Sequence, residues 1–290
     1  MPQDLTLEEF EALAALAVGR GVEPGIAGAL ESRGFAAGGK VLDAGFEALE
    51  PYKVRRAVVL AAGFGSRMVP VTYEIPKPLV RVNGRRIIDT VLDALIDANV
   101  GEIYVVRGYK AEQFDELLVD YPSIKFIENP RYSEANNISS IAAAAGHLGN
   151  AYVCEADLVL REPRLISPYQ YRSNYLGVPV AHTDDWCFAT DANLKITDLL
   201  VGSDDCHHMY GISYWTDREG ARLGEDAAAL MEQPDGEQRY WDEVPLRVFK
   251  DGYDVYVREC ALDDVAEIDT FEELQQVDSS YIEWKPRDGE

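Results

Sequence analysis

The sequence predicts an open, mainly parallel α/β sheet preceded by a small, mostly helical module. Three observations carry that prediction. From Val54 onward, short apolar runs alternate with segments of helical period, the pattern of a wound α/β domain. The first of those runs, AVVLAA, breaks into a glycine-bearing loop, Gly63-Phe64-Gly65-Ser66-Arg67, at the strand end where such sheets hold their ligands. The first fifty or so residues stand apart, with helical period and a glycine-rich break from Gly34 to Gly39. The expected units are therefore residues 1–53 and 54–284.

In chain order, Leu5 to Val18 places Leu7, Phe10, Leu13, Ala14 and Leu16 or Ala17 along one helical side. A second short helix is expected over Pro24 to Arg33. Residues 40–52 resemble the end of a shortened winged-helix module, without a convincing recognition helix. Nine acids against four bases in residues 1–53 give the wrong sign for phosphate contacts, so a docking or oligomerisation appendage is expected rather than a DNA-binding one.

The larger part begins with a strand at 56–62. Asn83-Gly84, between LVRV and RRII, is a two-residue hairpin signal. Ile87, Ile88, Val91, Leu92, Leu95 and Ile96 share one helical face, opposite Asp89, Asp93 and Asp97. Then come strand EIYVVRG, a helix near 111–119, strand SIKFIEN, a helix over about 137–148 and strand AYVCEADLVL. Residues 175–215 are strand-rich, and helices are expected near 217–231, 240–250 and 270–277.

Composition narrows the function classes. The 290-residue chain carries a formal charge of −24, with 51 acids against 27 lysines and arginines. Such a field repels nucleic acid and acidic membranes, so neither is an expected partner. No apolar run approaches the ~18 residues of a membrane span, and the acidic, amphipathic N-terminus is unlike a signal peptide. A soluble, cytoplasmic protein is expected, of undetermined oligomeric state. Cys154, Cys187, Cys206 and Cys260 lack C-x-x-C spacing, which predicts reduced, mostly buried thiols rather than a disulfide framework or zinc ribbon. His207-His208 beside Cys206 does not make a zinc site either, because adjacent side chains in a strand point to opposite faces. One of the pair is a candidate polar lining for a pocket; His147 is expected at a helix end and His182 in a loop.

The loop suits polyphosphate. Gly63 and Gly65 let backbone N–H groups approach an anion closely. Arg67 can fork onto two phosphate oxygens, and Lys77, between Pro76 and Pro78, supplies a compact charge with limited reach. Because the overall field repels triphosphates, the loop must make a local positive pocket with a divalent cation assisting. A dinucleotide fingerprint is excluded by Met68 at the third glycine position, and no Walker loop occurs. The full pattern, L-A-A-G-x-G-x-R-x-x-P-x-T-x-x-x-P-K-P-L, closely resembles the signature of nucleotidyltransferases, which join a nucleoside triphosphate to a phosphorylated small molecule.

Carboxylates for a magnesium ion would sit at strand ends: Asp157 closes one strand, and Asp269 stands where a late strand gives way to a helix. With the loop, these residues resemble the bacterial phosphocholine cytidylyltransferases over about residues 55–280, most strongly at 60–79 and less so at NPRYSEANNISS, Glu155–Leu160, YWDE and Glu267–Asp269. The resemblance implies a Rossmann-like nucleotidyltransferase sheet and a set of roles. Asp157 and Asp269 would hold Mg²⁺. Lys77 would neutralise charge on the attacking phosphate and the α-phosphate, and Arg67 would bind the triphosphate. Leu60, Ala61, Ala62, Gly63, Gly65 and Ser66 would surround the nucleotide, with Asn136, Asn137, Ile138 and Ser139 as candidates for reading cytosine.

A quaternary ammonium needs aromatic faces and nearby carboxylates, each ring contributing about 0.5–2 kcal/mol. The second half supplies Trp186, Tyr210, Trp215 and Tyr240-Trp241-Asp242. Trp186, Tyr240 and Glu267 match positions that face choline in the family, with Asp242 as a further acceptor contact. Arg239 departs from the family pattern, which has an acid there, and keeps aminoethylphosphonate and phosphoethanolamine open. The expected reaction is CTP plus a phosphorylated amino-alcohol, first phosphocholine, giving the CDP-linked product and pyrophosphate. A sugar-1-phosphate nucleotidyltransferase and a non-catalytic nucleotide-sensing regulator are the alternatives.

Overall fold

The computed structural model describes residues 5–284, and the chain divides into two compact units. The first runs up to Val54 and takes in residues 167–171. It contains α1 (Leu7–Ala17), α2 (Pro24–Ser32), the short strands β1 (Ala36–Ala37) and β2 (Lys40–Val41), and α3 (Asp43–Leu49). A capping box starts α1: the Thr6 hydroxyl accepts from the Glu9 amide at 3.2 Å, and the Glu9 carboxylate accepts from the Thr6 amide at 3.0 Å. Phe10, Leu13, Leu30, Phe35 and Leu49 form its core, against which Tyr52 and Tyr171 stack at 5.3 Å. Nothing in the sequence pattern marks residues 167–171 as part of this unit. They join it through packing and through backbone bonds, Gln170 N–H to the Tyr52 carbonyl at 2.8 Å and Val54 N–H to the Pro168 carbonyl at 2.9 Å.

The second unit opens with β3 (Arg56–Ala61), followed by the hairpin β4 (Arg81–Val82) and β5 (Arg85–Arg86), α4 (Asp89–Asp97), β6 (Glu102–Arg107), α5 (Leu117–Asp120) and β7 (Lys125–Glu128). Then come α6 (Ile138–Ala143), β8 (Ala151–Glu155), β9 (Leu158–Leu160), β10 (Asn174–Thr190) and β11 (Ile196–Trp215). The chain ends in α7 (Asp217–Met231), β12 (Tyr256–Glu259), β13 (Val265–Glu267) and α8 (Phe271–Val277). Seven strands make one sheet in the order β12-β10-β11-β8-β3-β6-β7. Strands β8, β3, β6 and β7 are parallel, β12 runs parallel to β10, and β11 is antiparallel to both its neighbours. Central β3 is apolar without alternation because both its faces are covered: Ala57, Val58 and Val59 have no exposed surface.

A separate antiparallel ribbon joins β13 to β9, with Val265 opposite Leu160 and Glu267 opposite Leu158. That register carries Asp157, just before β9, alongside Asp269, just after β13. The run AYVCEADLVL is thus two strands with Asp157 in the turn between them. Thr270, not Asp269, caps α8: its hydroxyl accepts from the Glu273 amide at 3.2 Å.

Three expectations need correction. Residues 240–250 are not an α-helix but a π turn, Val244–Val248, followed by a 3₁₀ turn, Lys250–Gly252. Pro245 lies inside that segment and has no N–H to continue an α ladder. His182 lies within β10 rather than in a loop, and neither His207 nor His208 faces the cleft; they contact Glu259 at 3.0 Å and Thr183 at 3.1 Å. No helix among the described residues is long and apolar enough to cross a membrane.

Candidate active site

An open cleft of about 750 Å³ lies at the carboxyl ends of β3 and β8. The glycine loop forms one wall. Gly65 is left-handed, with φ of +62°, and a Cβ there would stand 2.8 Å from Cβ of Lys77. Glycine is required twice over: by the backbone conformation and by the lysine stem packed on it. Thr72 ties the loop back, its hydroxyl donating to the Gly65 carbonyl at 2.9 Å. Gly63 differs. Among the described residues a Cβ there would meet no atom within 4 Å, and Gly63 lines the cleft. Beneath the loop, Met68, Val71, Val80 and Ile87 pack with Ile268 and Leu274, which locks this segment to the ribbon carrying Asp269.

Lys77 starts a 3₁₀ turn and keeps only 7% of its surface. Its ammonium donates to Asp157 Oδ2 at 2.8 Å and to Asp269 Oδ1 at 2.6 Å. Burial opposes its charge, but the Asp157 and Asp269 carboxylates outweigh that and raise its pKa above the ordinary lysine value. Arg67 Nη1 reaches Asp269 Oδ2 at 2.9 Å from a side chain that is 67% exposed. The positive groups expected to meet phosphate are therefore already ion-paired with the carboxylates expected to meet metal.

Glu155, Asp157 and Glu267 offer oxygens that all lie within 4.8 Å of one another. Glu155 ends β8 and packs so tightly on Gly211 that a Cβ there would stand 2.4 Å from its Oε2. Burial first, then Asp157, Asp242 and Glu267, push the Glu155 carboxyl well above its usual range. Glu267, open to the cleft on one side, is pushed up to about 8 by burial and by Asp157 and Asp269. Asp157 Oδ1 is buried without a hydrogen-bond partner among the described residues. Crowded carboxylates and one orphaned oxygen are the donor set a hard divalent cation takes.

The wall from Asn129 to Ser140 is built from its own polar groups. Asn129 Nδ2 donates to the Ser139 and Ser140 hydroxyls at 2.9 and 3.1 Å, and Ser139 donates to the Asn136 carbonyl at 2.8 Å. The Asn137 side-chain oxygen accepts from the Trp241 amide at 2.9 Å. Asn136, Asn137 and Ser139 line the cleft with Leu60, Ala61, Ala62 and Ser66. The Ser139 bonds run within the wall, while Asn136 donates to the Gln238 carbonyl at 3.2 Å and Asn137 ties the wall to Trp241.

Opposite, Trp186 and Tyr240 meet edge to face with centroids 5.5 Å apart, and Asp185, Asp242 and Glu267 line the same end. A register shift between Thr183 and Trp186 in the β10–β11 hairpin accompanies that placement of Trp186. Asp242 is buried, and its Oδ1 accepts from the Tyr175 hydroxyl at 2.7 Å. Tyr210, Trp215 and Trp241 are core residues and take no part in the lining. Arg239 points away to Glu243. Glu155 and Asp185 were not among the expected site residues. Glu155 had a signal: in extended chain it shares a face with Asp157 two residues on, an acid in an otherwise apolar strand.

Fold and cleft together put the chain in the class of α/β nucleotidyltransferases. A model of the MobA-like NTP transferase domain matches residues 57–183. The 2-aminoethylphosphonate cytidylyltransferase of Lancefieldella rimae is 38% identical over 229 residues, covering 78% of this chain and 93% of the relative. The choline-phosphate cytidylyltransferase of Streptococcus pneumoniae is 28% identical over 224 residues, covering 77% and 96%. The solved structure of the CTP:phosphocholine cytidylyltransferase from that organism superposes with a TM-score of 0.72 at 28% identity, over 79% of this chain and 99% of the other. The chain belongs to this family of cytidylyltransferase-like nucleotidyltransferases, and it is an enzyme of that kind.

Proposed function

We propose that the protein transfers CMP from CTP to a small zwitterion bearing a phosphonate or phosphate at one end and an ammonium at the other, first of all 2-aminoethylphosphonate. The observation that carries this reading is the juxtaposition in one cleft of the Lys77–Asp157–Asp269 cluster with the Trp186–Tyr240 pair and its carboxylates.

The reaction sets one anion against another. An acceptor oxygen attacks the α-phosphorus of CTP in line, an O–P bond forms, and the bond to the β-phosphate oxygen breaks to release pyrophosphate. Lys77 holds its charge firmly where both anions meet, and Arg67 reaches out toward the triphosphate. The loop amides beside Gly63 receive phosphate against bare backbone. Asp157 would hold Mg²⁺ with Asp269, once Lys77 and Arg67 turn from Asp269 to phosphate, and Glu155 and Glu267 would give up their protons beside it; the ion would screen the repulsion between nucleotide and acceptor. Asn137 and Ser139 would meet the base, held by their bonds to Trp241 and Asn129.

The acceptor choice rests on the cage. A trimethylammonium group takes ring faces and the field of nearby carboxylates but has no N–H, whereas a primary ammonium also donates hydrogen bonds to those carboxylates. Two rings line this end, and three carboxylates, Asp185, Asp242 and Glu267, stand beside them. The 38% identity to an aminoethylphosphonate enzyme supports the same choice. Phosphocholine is the second reading, favoured by the Trp186–Tyr240 pair itself.

Pyrophosphate release tests the proposal, with CTP, UTP, ATP and GTP each paired with 2-aminoethylphosphonate, phosphocholine, phosphoethanolamine and glucose 1-phosphate. The highest kcat/KM should come from CTP with 2-aminoethylphosphonate. Faster turnover of glucose 1-phosphate with any triphosphate would overturn the reading.

A further inference from the structure

We infer that Arg247 sets the enzyme's preference between a primary and a quaternary ammonium by occupying one face of Trp186. This rests on the proposed cytidylyl transfer and goes beyond it. The Arg247 guanidinium lies 5.6 Å from the ring centroid of Trp186. It is fixed from two sides: Nη1 donates to Glu243 Oε1 at 2.7 Å, and Nη2 donates to the Leu199 carbonyl at 2.8 Å.

Glu243 is the hub of this end. It is buried, it also accepts from Arg239 Nη1 at 3.2 Å, and its Oε2 accepts from the Tyr240 amide at 3.2 Å. One carboxylate therefore holds the backbone of one cage ring and, through Arg247, the face of the other. The π turn Val244–Val248 provides the spacing, since it separates Glu243 from Arg247 by one unusual turn.

The consequence differs between ligands. Arg247 does not line the cleft, so its guanidinium lies on the side of Trp186 away from the acceptor, where a second cation weakens the indole's pull on a trimethylammonium group. A primary ammonium depends on hydrogen bonds to carboxylates, which Arg247 leaves in place. Arg247 is a positioning and selectivity residue: it acts on the acceptor through the indole.

The test is the ratio of kcat/KM for phosphocholine to that for 2-aminoethylphosphonate, with CTP saturating. Arg247→Met, which removes the cation from behind the ring, should raise the ratio several-fold, within the range of one cation–π contact. Arg247→Gln, which can still donate to the Leu199 carbonyl, should do the same if the methionine variant folds poorly. Arg247→Lys, which keeps a cation near the ring, should stay within about twofold of the parent. The KM for CTP should not move in any of them. An unchanged ratio in the neutral variants, or a KM shift confined to CTP, overturns the inference. Failure of the parent enzyme to turn over either acceptor would instead overturn the proposed reaction, so the two failures are distinguishable.

Discussion

At one end of the cleft, twenty consecutive residues, Leu60 to Leu79, carry the loop, Arg67 and Lys77, and two aspartates from one ribbon complete the cluster. At the other end, Trp186 comes from a hairpin, Tyr240 and Glu243 from a turn region, and Arg247 from a π turn. The phosphate end is strongly charged and internally neutralised. The end proposed for the acceptor is aromatic, with Asp185, Asp242 and Glu267 beside the rings. A site that must handle any triphosphate can be local and stereotyped; one that selects an acceptor is assembled from distant segments whose relative placement can be retuned.

The sharpest break in that comparison is Lys77→Ala. It removes a cation bonded to both aspartates, and kcat should fall by about 10²–10³, the usual cost of deleting a preorganised charge contact at a transition state. Circular dichroism should remain that of the parent. A kcat within fivefold of the parent would mean that the ion-paired cluster is structural rather than chemical.

At the acceptor end the loss should fall on one substrate. Trp186→Ala should raise the acceptor KM about tenfold while leaving that for CTP within twofold, because the ring contributes binding of the size of one cation–π contact. If only the CTP value moves, the two ends have been assigned in reverse.

Much of the phosphate end was legible in the sequence because its residues are contiguous and each has a local reason: a glycine before a lysine stem, a lysine between prolines. The pairing of Asp157 with Asp269 was legible only as strand-end acids. Their meeting depends on the register Glu267 opposite Leu158, which no local pattern encodes. Glu155 was overlooked because an acid closing an apolar strand reads as the strand's end; its packing on Gly211 is a tertiary fact. The Glu243–Arg247 relation was hidden by an apparent helix over 240–250, where i,i+4 pairing would have been read as a solvated ion pair. Tyr210, Trp215 and Trp241 show the reverse: aromatic type alone does not separate a pocket from a core.

The two glycines sharpen the view of the phosphate end. Gly65→Ala meets a left-handed backbone and the Lys77 stem at 2.8 Å, so it should cost on the order of 1–3 kcal/mol of stability and displace the lysine. Gly63→Ala meets no protein atom and should leave the melting temperature unchanged while raising the KM for CTP several-fold. Equal effects of the two substitutions on stability would remove the distinction between a glycine needed by the fold and one needed by the ligand.

The last effect is one of stability alone and concerns Asp242, beside the aromatic pair. Burial raises its carboxyl from 3.8 to about 6, against the Tyr175 hydrogen bond, which lowers it. A raised acid pKa in the folded state means that folding favours the protonated form. The cost of keeping the charge is therefore absent below about pH 4, grows as pH rises from 3.8 to about 6, and is fully present above that. That rise bounds the cost at roughly 3 kcal/mol. Asp242→Asn keeps an oxygen for the Tyr175 hydroxyl and never ionises. Its stability relative to the parent, from denaturant midpoints, should be near zero at pH 4 and increasingly favourable up to pH 7.5. A difference that stays constant across that range would mean that the carboxyl titrates as an ordinary aspartate, and that the acceptor end can carry a buried charge at no cost.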